Sequence, residues 1–298
     1  MTKPFRAFAA AKVNLSLRVH GRRPDGYHEL SSLVAFADVG DTLELVPSNA
    51  FELIVTGPTA SRIDGPNLIE RAAKHLVADH PDIGPGRVIL QKFLPVGAGI
   101  GGGSADAAAY LRALRADNTG VSDRIDWDAV AMSLGADVPV CLAGQVCWMT
   151  GIGERVVPIG HAPSALPAVL VNPGLPVATA EVFRILDAAP ISDDRVPECP
   201  EQVPSGPTGF VAFLHTLDND LESAAVSVAP DIVAARTALE ATDGCRLVRM
   251  SGSGATYFGL YDTVQQSIAA RDSVRAAHPK WWVEATVLGN ALQDPGAV

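Results

Sequence analysis

PVGAGIGGGSADAA (residues 95–108) sets five glycines, Gly97, Gly99, Gly101, Gly102 and Gly103, ahead of Ser104 and an alanine-rich run. Glycine has no Cβ, so successive backbone N–H groups can turn inward and let an anion approach closely. Ser104 reads as the N-cap of a helix reaching about Arg115, whose positive dipole end points back into the loop. A glycine loop feeding a helix N-terminus is a phosphate cradle. Pro95 separates it from the strand expected over 87–92.

Around this loop, 298 residues with 48% hydrophobic and 19% charged side chains make a soluble globular chain, long enough for one large domain or two ordinary ones. A net charge of −10 argues against a nucleic-acid partner. A local nest of N–H groups can still hold a small phosphorylated ligand. Cys141, Cys147, Cys199 and Cys245 form no CxxC pair and read as free thiols of a reducing compartment. Lys12 interrupts the N-terminal apolar run too early for a signal peptide. The longest uncharged span, 138–153, contains Pro139, Gly144 and Gln145, which suits no membrane helix. A cytoplasmic protein with no membrane contact is expected, a monomer or weak homodimer.

Outward from the loop, KVNLSLRVH (12–20) alternates apolar and polar residues and predicts a half-buried strand with Lys12 and Asn14 on one face. Pro24-Asp25-Gly26 is a turn signal, and Tyr27-His28 follow it, just ahead of the apolar run 33–37. The pair is either a hairpin ornament or a flat ring plus an imidazole for a planar ligand. Strands fit 41–46 and 51–56. A helix fits 67–78 with Asn67 as its N-cap, and another spans about 126–134, ending at Gly135. Asp137 follows, flanked by Ala136 and Val138. A carboxylate in such apolar company caps a turn or serves as a general base.

The second half reads as strand 168–172, helix 179–187, helices 209–227 and 231–241, strands 245–250 and 255–261, helix 263–277 and strand 281–287. Without the extra helices the order is β-α-β-β-α-β, a ferredoxin-like split βαβ arrangement. Residues 188–208 hold five prolines and read as an exposed loop. SGSGAT (251–256) is explained by a tight hairpin, with support of the first glycine loop as the functional alternative. Gly160, Pro163 and Pro167 mark a domain boundary.

Gly97, Gly99 and Gly102 formally satisfy the dinucleotide-binding G-x-G-x-x-G. Pro95 and the succession of strands ahead of it do not supply the parallel βαβ unit that fingerprint needs, and no Gly-Lys-Ser/Thr follows for a Walker A loop. The form PxxxGxGGGS with a helix behind it instead resembles the phosphate loop of the GHMP kinase family. AKVNLSL (11–17) resembles that family's N-terminal motif and SGSGAT its C-terminal glycine motif. GRRPDGYHEL (21–30), NLIERAA (67–73), LGADVPV (134–140), PGLPVATAEVF (173–183) and NDLE (219–222) extend the likeness along most of the chain. Gly97 and Ala105 stand where the pattern has Ala and Ser.

The resemblance implies an α+β, two-domain GHMP kinase fold: residues 1–162 as an N-terminal mixed α/β domain (ribosomal protein S5 domain 2-like) carrying the phosphate loop, and 163–298 as a ferredoxin-like C-terminal domain. The active site would lie in the cleft between them. By this likeness ATP with Mg²⁺ phosphorylates a small alcohol carrying a cytidine diphosphate. Asp137 would be the base, Lys12 the charge stabiliser beside it, and Asn14 would orient the acceptor. Tyr27 and Phe183 would stack the cytosine, with His28 bonding its edge and Thr179 nearby. Asn67, Lys92, Pro95, Gly97, Gly99 and Gly101 to Ser104 would serve ATP. No clustered carboxylates suggest a protein cage for the metal, which phosphates and water would hold.

Overall fold

The computed structural model describes residues 3–161, 163, 165–191, 199, 203–291 and 296–297. The chain opens with β1 (Phe5–Asn14), β2 (Arg18–Arg22) and the long β3 (His28–Val46). The single half-buried strand expected over 12–20 is thus two elements. Lys12 and Asn14 are 3% and 1% exposed, because other chain covers this end of β1: the Lys12 N–H donates to the Ile100 carbonyl at 2.9 Å. Alternating polarity here marks an interior polar site rather than a solvated face. Residues 33–37 and 41–46, read as separate runs, belong to one strand, which pairs antiparallel with β1 from Phe5↔Leu45 to Asn14↔Val34.

β4 (Glu52–Thr56), α1 (Leu68–Asp79) and β5 (Arg87–Gln91) form a parallel βαβ unit. Asn67 caps α1 as expected, its Oδ1 accepting from the Ile69 N–H at 2.9 Å. The unit whose absence counted against a dinucleotide loop therefore exists, but the glycine loop follows its second strand, not its first.

α2 (Gly102–Asp117) begins two residues ahead of the expected cap. Gly101, in the left-handed region at φ 65°, starts it, and no side chain caps it; Ser104 lies inside the first turn. Its leading N–H groups consequently have no intrahelical acceptor. Ala105, Ala107, Ala108 and Ala109 are buried, and these small side chains let α2 settle deeply between β1, α1 and later helical layers. A short turn α3 (Thr119–Ser122) and α4 (Trp127–Leu134) follow, then α5 (Val138–Ala143) and the hairpin β6 (Cys147–Gly151) and β7 (Arg155–Pro158). Periodicity gave no sign of α5, β6 or β7, since a six-residue helix and a buried strand such as β6 look alike over so few residues, and the exposed β7 is only four residues long.

The C-terminal half comprises β8 (Leu166–Asn172), α6 (Thr179–Leu186), α7 (Pro207–Leu214), α8 (Glu222–Val228), α9 (Val233–Glu240), β9 (Cys245–Met250), β10 (Tyr257–Tyr261), α10 (Val264–Ala277), β11 (Trp282–Gly289) and β12 (Gly296–Ala297). The one helix expected over 209–227 is two, α7 and α8, parted by the segment holding Asn219. Strand order β11-β8-β10-β9 is that of the split βαβ fold. Most of the 188–208 loop, residues 192–198 and 200–202, lies outside the described residues.

β11 reaches β3 through Leu288↔Ala37 and Gly289↔Phe36, so the sheets of the two halves are continuous. One core packs α1, α2 and α4 on β1, β3 and β5; another packs α8, α9 and α10 on β8 and β10. Between them the ends of β1 and β3, the glycine loop and the 251–256 turn converge. No helix among the described residues is long and apolar enough to cross a membrane.

Candidate active site

The glycine loop is held from below by the second glycine turn. Ser251 Oγ accepts from the Asn14 N–H and donates to the Gly99 carbonyl, both at 3.0 Å. Thr256 Oγ1 donates to the Ala98 carbonyl at 2.6 Å. A Cβ on Gly99, at φ 74°, would stand 2.6 Å from the carbonyls of Ser251 and Gly254, so only glycine fits this crossing. Asn219 donates to the carbonyls of Met250 and Gly252 at 2.8 Å each, bracing the turn. SGSGAT is thus both a hairpin, closed by the Ser251 N–H on the Thr256 carbonyl, and the loop's support.

At the mouth of the loop, Lys12 Nζ lies 2.9 Å from Asp137 Oδ2 and 2.9 Å from Asn14 Oδ1. Asn14 Nδ2 donates to Ser32 Oγ at 2.7 Å, and that hydroxyl donates to the Ser16 carbonyl. Lys12, Asn14 and Ser32 are thus each held by the next. Asp137 stands at the start of α5 yet caps nothing; its carboxylate faces the cleft. One turn on, burial pushes the Cys141 thiol up to about 12, which keeps it protonated and unreactive.

A cleft of about 1080 Å³ runs from this pair to a second group of side chains. The bend 23–27 is tied by the Arg23 N–H on the Tyr27 carbonyl and the Tyr27 N–H on Asp25 Oδ1. It leaves the Tyr27 ring 58% exposed at the rim. The ring stacked on Phe183 is His28, with centroids 4.6 Å apart. Burial, then the Arg22 charge, lowers the His28 pKa, favouring neutral imidazole. Thr179 Oγ1 shares a hydrogen bond with Ser253 Oγ at 2.8 Å, linking α6 to the second glycine turn.

Lys12, Asn14, Tyr27, His28, Gly97, Gly99, Gly101, Gly102, Gly103, Ser104, Asp137, Thr179 and Phe183 all line this one cleft. Asn67, Lys92 and Pro95 do not. Asn67 caps α1 beside Leu68, a lining residue; Pro95 is buried at the loop's entry. Lys92 is 3% exposed and ion-paired with Asp41 and with Asp106 at 2.6 Å. Sequence reading missed Asp41, Asp106 and Ser32 as supports. Asp41 and Ser32 look like ordinary polar positions in strands, and Asp106 like one polar residue in a helix. Among the described residues no group of three or more His, Cys, Asp or Glu side chains is placed to hold a metal ion.

The family profile "GHMP kinases N terminal domain" matches residues 67–145, and "GHMP kinases C terminal" matches 206–280. The chain belongs to the GHMP kinase family. This GHMP kinase is 49% identical to the 4-diphosphocytidyl-2-C-methyl-D-erythritol kinase of Methylorubrum extorquens, over 94% of this chain and 97% of that one. With the protein of the same name from Cereibacter sphaeroides it shares 47% identity over 93% and 96%. A solved 4-(cytidine 5'-diphospho)-2C-methyl-D-erythritol kinase superposes with a TM-score of 0.74 at 35% identity, covering 96% of this chain and all of the other. The homoserine kinase of Cytophaga hutchinsonii, at 18% identity and a TM-score of 0.66 over 98% of this chain and 96% of that one, shares the fold. The α+β, two-domain architecture is that of the GHMP kinases, and ATP is the phosphoryl donor such an enzyme uses.

Proposed function

We propose that this kinase transfers the γ-phosphoryl group of ATP to the 2-hydroxyl of 4-(cytidine 5'-diphospho)-2-C-methyl-D-erythritol, a step of non-mevalonate isoprenoid synthesis. The observation that carries the reading is one cleft holding the Lys12–Asp137 pair, 2.9 Å apart, the glycine loop and the His28–Phe183 stack. Near-half identity to relatives bearing that name supports the choice of acceptor.

Phosphoryl transfer asks the protein for position and electrostatics rather than covalent chemistry. The loop N–H groups of residues 99–104 cradle the ATP phosphates, and Asn67 flanks the nucleotide from the tip of α1. Asp137 takes the proton from the acceptor hydroxyl, that oxygen bonds to the γ-phosphorus, and the bond to the β-phosphate oxygen breaks to release ADP. Lys12, held by Asn14, stabilises the charge on the transferring group. Tyr27 closes on the cytosine from the rim, Phe183 offers the opposite face, and neutral His28 bonds the ring edge with Thr179 beside it. Bound with ATP, Mg²⁺ would be held by phosphate oxygens and water and would neutralise phosphate charge, so a chelator should abolish turnover.

The side chains of this scheme other than Asn67 all line one cleft of a single chain, so the site needs no second subunit to be complete; we take the enzyme to be a monomer or weak homodimer of the cytoplasm. The domains divide at 162/163, between β7 and β8. An ADP-release assay comparing the cytidine-diphospho acceptor with mevalonate and homoserine tests the proposal. Turnover with the first alone is expected; preference for either other acceptor would reject it.

A further inference from the structure

Beneath the glycine loop, out of the cleft, one ammonium meets two carboxylates. Lys92, Asp41 and Asp106 are 3%, 0% and 2% exposed. Lys92 Nζ donates to Asp41 Oδ2 and, at 2.6 Å, to Asp106 Oδ2. Were all three ionised, the buried cluster would carry a net negative charge, and an uncompensated buried charge costs several kcal/mol. One proton removes that cost.

The hydrogen bonds say which carboxyl holds it. Asp41 accepts from Lys92 and from the N–H groups of Phe93 and Leu94, at 2.5 and 2.9 Å; every partner is a donor, so it serves as the carboxylate. Asp106 meets Lys92 and, carboxyl to carboxyl, Asp41, a contact that needs a proton between the two acids, and its Oδ1 is buried with no hydrogen-bond partner. An orphaned oxygen costs less on a neutral carboxyl than on a carboxylate. Burial, exceeding the opposing pull of Lys92 and aided by Asp41, pushes Asp106 up to about 8. Burial also disfavours the charged Lys92, but the two carboxylates outweigh it and raise its pKa.

The cluster's position gives it a consequence. Phe93 and Leu94 are the loop's entry, Asp106 sits near the start of α2, and a Cβ on Gly102 would lie 3.6 Å from Lys92 Nζ. The ammonium is directly behind the N–H groups that face the cleft. We infer that Lys92, Asp41 and Asp106 are a positioning triad under the phosphate loop, that Asp106 carries the proton keeping it neutral, and that this neutrality sets the loop's affinity for a nucleotide triphosphate. Ionising Asp106 places net negative charge behind the anion site and sets two carboxylates repelling at the base of α2. By reciprocity, bound triphosphate holds the proton on.

Other groups near Asp106 do not compete. Lys92 directly follows β5 and β3 supplies Asp41; from α5 Cys141 approaches, and burial pushes its thiol up to about 12. Lys12 of β1 is turned to Asp137.

The inference rests on the nucleotide reading of the loop but not on the acceptor, so its test omits the acceptor. Affinity for the β,γ-imido analogue of ATP, with Mg²⁺ in excess, is measured at pH 7 and pH 9 for the wild type and for Asp106→Asn, whose fold is checked by thermal melting. A group titrating at about 8 weakens wild-type binding about ten-fold between these pH values, while Asp106→Asn, which cannot ionise, changes less than two-fold. A pH-independent wild type, or a variant with the same ten-fold loss, overturns the proposal. If the variant does not fold, the wild type's infrared spectrum decides. A protonated-carboxyl band present at pH 7 and absent at pH 9 supports the triad, and its absence at pH 7 overturns it. No analogue binding at pH 7 would reject the nucleotide reading, and the affinity claim with it, while the infrared band still reports the proton.

Discussion

Lys12 Nζ and Asp137 Oδ2 are 2.9 Å apart, with 4% of one side chain and 37% of the other exposed. The cation is sealed behind the glycine loop and the carboxylate is open to the cleft. That asymmetry suits a fixed charge and a base that must reach an incoming hydroxyl. Asp137→Asn keeps the shape and loses the proton acceptor, so turnover should fall by about 10²–10⁴. Steady-state kinetics with ATP and the cytidine-diphospho acceptor check this; near-normal turnover would remove Asp137 from the chemistry.

Gly99 crosses the second glycine turn where a Cβ would stand 2.6 Å from two carbonyl oxygens. Gly99→Ala should cost about 1–3 kcal/mol for the left-handed backbone alone, with overlap adding to it. Thermal melting should show the loss, and the KM for ATP should rise as the loop shifts. Gly97→Ala, at a similar φ but with nothing within 4 Å of the added carbon, should cost only the backbone term. Equal effects in the two variants would refute the clamp.

Tyr27 exposes 58% of its surface at the cleft rim, which a ring buried for stability would not do. Tyr27→Ala should leave melting unchanged and raise the KM for the acceptor by about 1–3 kcal/mol of lost base stacking. If the KM for ATP rose instead, Tyr27 would belong to the donor.

The pKa of His28 is lowered by burial and by Arg22, so it titrates below the ordinary imidazole value of 6.5. Neutral imidazole therefore persists at neutral pH and is lost only as pH falls through the lowered value. The KM for the acceptor should be flat above pH 6.5 and climb in more acid solution. Arg22→Gln should move that climb toward higher pH, and His28→Gln should abolish it. An unshifted climb in both variants would assign the titration to another group.

Much of this architecture was legible in the residues themselves. Glycines at 97–103, Asn67 ahead of an apolar run, and the β-α-β-β-α-β order all report local conformation, which depends on Cβ sterics, capping and periodicity along the chain. The family likeness came from the same local stretches. Where the chain misled, the cause was non-local. KVNLSLRVH looks like a half-solvated strand because alternation cannot tell solvent from a buried polar site. Ser104 looks like a cap because sequence does not show that Gly101 starts the helix three residues earlier, with no side chain capping its N–H groups.

The residues alone disclosed the glycine loop ahead of a helix, the split βαβ half and the side chains that line both ends of the cleft. Which side chains touch was settled in the folded chain: Lys12 with Asp137, His28 with Phe183, Ser251 with Gly99, and Lys92 with two carboxylates. The physical reason is that charge and hydrogen-bond energies depend on distance and burial, and both are set when strands far apart in sequence close over one another.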